Sequence, residues 1–123
     1  MTVSQRLLVA AALSGAVAVA AGAFGAHALR DIVTEARLET WQTAASYGLA
    51  HAVVAAFAAS RPARWAQRAA ALFLAGTLLF SGSLYALVLL DLPWLGAVTP
   101  LGGVAFIAGW LSLAASARGL VSP

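Results

Sequence analysis

The sequence predicts an all-α fold, an integral membrane bundle of four transmembrane helices in one domain, and three observations carry that expectation. The chain of 123 residues is 63% hydrophobic and only 9% charged, with a mean hydropathy of +0.93, where soluble domains run at roughly 45–50% apolar and about 25% charged residues. Its apolar residues fall into four runs, about residues 7–29, 41–60, 69–90 and 100–117, divided by charged residues. Each run is close to the ~20 residues a helix needs to cross about 30 Å of hydrocarbon. None shows the alternating polarity of a barrel strand, and backbone in lipid has to satisfy its own hydrogen bonds, so helices are the expected element.

The first run begins after Arg6 and ends in "GAFGAHALRD". A leading arginine, an apolar stretch and the small-x-small ending Ala26-His27-Ala28 imitate a secretory signal peptide. The stretch from Leu7 to Leu29 exceeds the usual ~7–15-residue signal core and three further runs follow, which favours an uncleaved helix. Next, "RDIVTEARLET" lacks Gly and Pro and is expected to form an amphipathic turn or two leading straight into the second helix. Pro62 interrupts the next connection. Pro93 and Pro100 bracket the last one, with Pro100 placed to start the fourth helix. No repeat of fixed period is present, and the two halves are not inverted copies of each other.

Seven arginines and no lysine face four carboxylates, giving a net charge of +3. The arginines stand at the ends of apolar runs and form no basic patch interleaved with aromatics, so they read as topology markers and not as a nucleic-acid surface. With both termini cytoplasmic, the inner side carries Arg6, Arg61, Arg64, Arg68 and Arg118, and the outer side only Arg30 and Arg37 beside Asp31, Glu35, Glu39 and Asp91. Trp41, Trp65 and Trp94 are expected at the interfaces. The absence of cysteine excludes disulfide and thiolate chemistry.

Within the helices, small residues recur at helical spacing. Ala11, Gly15, Ala18, Gly22 and Gly25 form one stripe on the first helix, and Ala16, Ala20, Ala23 and His27 another. Gly102, Ala105, Gly109, Ser112 and Ser116 repeat the device on the fourth. Gly76 and Gly82 lie on the third. Apolar burial adds little between helices in lipid, so small residues that let backbones approach supply the packing. The competing reading, a substrate path lined by the glycines, has less support.

Four stretches, "GAFGAHAL", "WQTAASYGLAHA", "FLAGTLLFSGSLYAL" and "TPLGGVAFIAGW", follow one another at a spacing that resembles the DUF423 or UPF0382 family of small four-span membrane proteins, which has small eukaryotic relatives. The resemblance covers nearly the whole chain. It implies a four-helix protein of the bacterial inner membrane and brings no established biochemical activity with it.

Polar residues inside the spans are the candidate site. Thr40, Ala44, Tyr47, His51, Ala55 and Ala58 share one face of the second helix, with Leu49, Val53 and Phe57 opposite; Thr77, Ser81 and Tyr85 form a strip on the third. If the outer boundary lies near Trp41 and Leu90, then at ~1.5 Å per residue His51 and Ser81 both lie roughly 14 Å deep and Tyr47 and Tyr85 roughly 8 Å deep. The expectation is a neutral His51 that faces the interior and bonds a third-helix hydroxyl, Ser81 first and Tyr85 second. His27 is shallower, an outer-rim residue near Arg30.

Two histidines without an intramembrane carboxylate make a poor metal set. No nucleophile and base, phosphate-binding loop or carboxylate pair is recognisable, so no catalytic, cofactor or metal residues are assigned. The spans hold no Asp, Glu, Lys or Arg, which transporters and proton relays usually carry. A non-enzymatic structural, scaffolding or membrane-maintenance role is therefore preferred over a small transporter or channel built on His51, Ser81 and Tyr85. The expected partners are the lipid bilayer and further copies of the chain, through the small-residue faces; neither nucleic acid nor a soluble partner is expected.

Overall fold

The computed structural model describes residues 1–120, which form a bundle of four helices and no strand among the described residues. Helix α1 runs Val3–Leu29. It opens with a reciprocal cap in which the Gln5 backbone N–H donates to Thr2 Oγ1 at 3.1 Å and the Thr2 N–H donates to Gln5 Oε1 at 2.8 Å. Five residues before its last turn, Ala21–Gly25, are wound as a wider π turn. Helix α2, Glu35–Ala59, starts where Thr34 Oγ1 accepts the Arg37 N–H at 3.2 Å. Helix α3 spans Arg64–Leu90 and α4 spans Thr99–Ala115, the latter preceded by a 3₁₀ turn over Pro93–Ala97 and followed by another over Ser116–Gly119. Helices α1 to α3 begin four to six residues ahead of the apolar runs, because caps and turn residues, not hydropathy, decide where a helix starts.

The packing is inverted relative to a soluble protein. Alanines line the interior: Ala11, Ala55, Ala58, Ala59, Ala69 and Ala70 surround Phe73 and Phe106. Leu13, Val17, Phe24, Val53, Phe57, Leu78, Ile107 and Leu111 point outward. In water this surface would be untenable; in hydrocarbon it is neutral, and small interior residues let the helices touch. Three helical segments are long and apolar enough to cross a membrane, Val3–Leu29, Arg64–Leu90 and Pro93–Gly119. Helix α2 has 25 residues but is less apolar, carrying Gln42, Thr43, Ser46, Tyr47 and His51.

Contacts run in chain order, α1 on α2, α2 on α3 and α3 on α4, with only a slight contact between α1 and α3. The ends are separated by charge. At one end Gln67 Nε2 donates to Ser4 Oγ at 2.7 Å and Gly119 lies beside Ala63, which gathers Arg6, Arg61, Arg64, Arg68 and Arg118. At the other, Arg37 bonds Asp91 at 3.0 Å and donates to the Leu87 carbonyl at 3.2 Å. Asp91 takes a left-handed conformation (φ 52°) that turns the chain out of α3.

Candidate functional site

The polar strip lies at the centre of the bundle and is wired differently from the sequence expectation. His51 faces the interior and is buried. Its Nδ1 lies 2.8 Å from the Tyr47 carbonyl, one turn back on α2, and its Nε2 accepts from Trp110 Nε1 of α4 at 3.2 Å. A carbonyl can only accept and an indole N–H can only donate, so Nδ1 carries the proton, Nε2 is bare and the ring is neutral. The imidazole stacks on Phe106 with centroids 3.6 Å apart and planes at 13°, and meets Phe73 at 5.7 Å and the edge of Trp110 at 6.0 Å.

The expected pairing of His51 with Ser81 or Tyr85 is therefore incorrect. Ser81 does bond α2, but its Oγ donates to the Ala44 carbonyl at 2.7 Å. Tyr85 packs on Trp41 at 4.7 Å and Tyr47 on Phe80 at 4.7 Å, and the Tyr85 hydroxyl is buried without a protein partner. These contacts set α2 against α3 about six residues, or ~9 Å, out of the assumed register. The cause is the tight connection between Ala59 and Arg64, which fixes the hairpin from the basic end, whereas the depth estimate assumed a common boundary at the other end. Thr77 donates to the Phe73 carbonyl in its own helix at 2.9 Å. Tyr47 is half exposed at the rim of the strip.

The glycines divide into four kinds. A Cβ on Gly102 would collide with the Phe80 backbone nitrogen, a backbone-on-backbone approach between α3 and α4 that only glycine permits. Gly76 and Gly109 receive the rings of Phe106 and Phe73, and Gly25 receives Trp41. Gly15 and Gly22 are in ordinary contact with Ala52 and Ala45. Gly82 is no packing residue: a Cβ there meets nothing nearer than Leu78 of its own helix, at 4.0 Å. The stripe of Ala16, Ala20, Ala23 and His27 is exposed, and His27 Nδ1 accepts from Arg30 at 3.1 Å.

Trp41, expected at an interface, is buried, and its Nε1 donates at 2.8 Å to the Ala21 carbonyl that opens the π turn. Sequence reasoning also missed Trp110, Gly48 against Ser81 at 3.3 Å, and the pair of Ser83 and Thr99 hydroxyls 2.7 Å apart that joins α3 to α4. The available signal for Trp110 was its indole N–H, a donor in an apolar helix that needs an acceptor. Among the described residues no three His, Asp or Glu side chains lie close enough to hold a metal ion.

The helical membrane fold agrees with what the chain matches. The family model described as "Protein of unknown function (DUF423)" matches residues 21–103, from the π turn through Gly103. The chain belongs to the DUF423 family. Relatives include the UPF0382 membrane protein YwdK of Bacillus subtilis (strain 168), 40% identical over 115 residues covering 89% of this chain and 94% of the relative. The UPF0382 inner membrane protein YgdD of Escherichia coli (strain K12) is 40% identical over 111 residues, covering 87% and 85%. The UPF0382 membrane protein SAB0533 of Staphylococcus aureus is 39% identical over 112 residues, covering 86% and 89%. No solved structure matches. This DUF423 protein is thus a helical membrane protein whose relatives carry no assigned activity.

Proposed function

We propose that this chain is a non-enzymatic protein of the bacterial inner membrane, crossing it four times with both termini in the cytoplasm, and that it serves a structural, scaffolding or membrane-maintenance role. The observation that carries the reading is the use of the polar strip within the bundle. Both His51 nitrogens, Ser81 Oγ and Thr77 Oγ1 are committed to internal partners and, within the strip, the Tyr85 hydroxyl alone is buried without one, whereas a transport path needs a succession of groups free to exchange partners with a solute. Four crossings are supported by the length of α2, ~37 Å at 1.5 Å per residue, and by its place between α1 and α3. The orientation rests on the five arginines gathered at one end. Self-association is left to the outward stripe of Ala16, Ala20 and Ala23, since the other stripe of α1 packs on α2.

The test is flux. Liposomes holding the purified protein should pass protons and small cations no faster than protein-free liposomes. A protein-dependent flux abolished by His51→Ala would replace this reading with a small transporter or channel built on His51, Ser81 and Tyr85.

A further inference from the structure

Helix α1 leans on α2 and barely meets α3, which leaves a lateral groove of about 490 Å³ between α1 and α3. Ala10, Leu13 and Val17 form one wall, Leu74, Leu78 and Gly82 the other. The hydroxyls of Thr77 and Ser81 also line it, but both are spent on backbone carbonyls; Ser14 and the unpartnered Tyr85 hydroxyl are the other polar points on a lining that is otherwise carbon. From Ala10 to Ala18 on one wall and Leu74 to Tyr85 on the other the groove is ~12–16 Å long, at 1.5 Å per residue. That is the depth of one leaflet in a hydrocarbon core of about 30 Å.

What lies at the foot of the groove decides the occupant. Gln67 and Ser4 join α3 to α1 below it, six to seven residues, or ~9–10 Å, beyond Ala10 and Leu74. Arg6 stands one turn below Ala10 on the same face of α1. Arg64 and Arg68 flank Gln67, with the Arg68 guanidinium 4.8 Å over the Trp65 ring. All four carboxylate side chains lie in the segments toward the opposite end, at Asp31, Glu35, Glu39 and Asp91. A largely apolar slot about as long as one leaflet is deep, continued toward the basic end by arginines that face no carboxylate side chain among the described residues, is complementary to an amphiphile with a single-leaflet tail and an anionic head.

We propose that this groove is a binding site for an anionic phospholipid, with one acyl chain between α1 and α3 and the headgroup phosphate held by Arg6, Arg64 and Arg68. A second copy of the chain fits less well, because an inserted helix would bring no negative charge to the three arginines. The inference rests on α1 and α3 crossing the bilayer. Failure of that premise would show separately, as release of the protein from membranes by alkaline carbonate.

The experiment is native mass spectrometry of the whole protein in detergent with equal amounts of phosphatidylglycerol and phosphatidylcholine. The expected spectrum is dominated by one bound phosphatidylglycerol. Arg6→Gln should lower the preference for phosphatidylglycerol about fivefold, the effect of one arginine near an anionic surface, while Arg30→Gln, at the opposite end of α1, leaves it unchanged. Gly82→Leu, which puts a side chain into open groove and favours helix, should remove the bound lipid of either class without lowering helicity. Equal binding of the two lipids by the unaltered protein, or lipid retained by Gly82→Leu, overturns the proposal. So does a dimer that Gly82→Leu dissolves, which would make the occupant a second copy.

Discussion

Removing the His51 side chain tests how the bundle closes. His51→Ala deletes the bond from Trp110 Nε1, worth about 0.6–1.7 kcal/mol between helices in a membrane. It also deletes the stack on Phe106, worth about 0.5–1.5 kcal/mol beyond burial. The expected loss is thus ~1–3 kcal/mol. Trp110→Phe keeps an aromatic ring but loses the donor and part of the indole surface that meets His51 and Phe73, so it should cost at least the about 0.6–1.7 kcal/mol of the bond. In a double-mutant cycle read by unfolding in mixed detergent micelles, with helicity as the signal, the His51 and Trp110 losses should couple by nearly the full value of the bond. A second cycle, His51→Ala with Ser81→Ala, should be additive within about 0.5 kcal/mol, because the two side chains share no partner. Coupling to Ser81 as large as coupling to Trp110, or none to Trp110, would refute the wiring described above.

Gly102→Ala should destabilise by about 1–3 kcal/mol or more in the same assay, since its methyl meets Phe80 backbone and neither helix can yield without parting. Gly82→Ala, facing open groove, should instead be neutral or stabilise by up to about 1 kcal/mol through helix propensity; a loss as large as that of Gly102→Ala would contradict the placement of Gly82. Trp41→Phe should speed amide hydrogen exchange over residues 21–26, where the π turn loses its indole donor; unchanged exchange would mean that the donor does not hold the turn. Reporter fusions at Glu35 and after the final residue should report opposite sides of the membrane, and a common side would defeat the proposed topology.

Much of the architecture is legible in the sequence because lipid simplifies the code. Run length alone separates the helices, and the spacing of Ala11, Gly15, Ala18 and Gly22 identifies the face of α1 that meets α2. The inward face of α2 is equally readable from Ala44, His51, Ala55 and Ala58 against Leu49, Val53 and Phe57. Axial register is not, since periodicity gives a side chain's direction around a helix and not its height beside a neighbour. That height follows from the short connection between Ala59 and Arg64. It decides that Ser81 reaches Ala44 and that His51 is left for Trp110. The fate of Trp41 was hidden for a related reason: an indole at a helix start reads as an interface anchor, and only the π turn in α1 supplies the carbonyl that draws it inward.

The chain-order packing of the helices also dictates how the molecule can be assembled. Each helix emerging during synthesis finds its principal partner already made, so α2 docks on α1 and α3 on α2 with short loops to close and little search. The bond between His51 and Trp110 bridges 59 residues and cannot form until α4 is in place. Until then His51 sits in the membrane with a bare acceptor, which makes arrival of the last helix the step that completes the bundle and leaves any chain truncated before Trp110 recognisably unfinished.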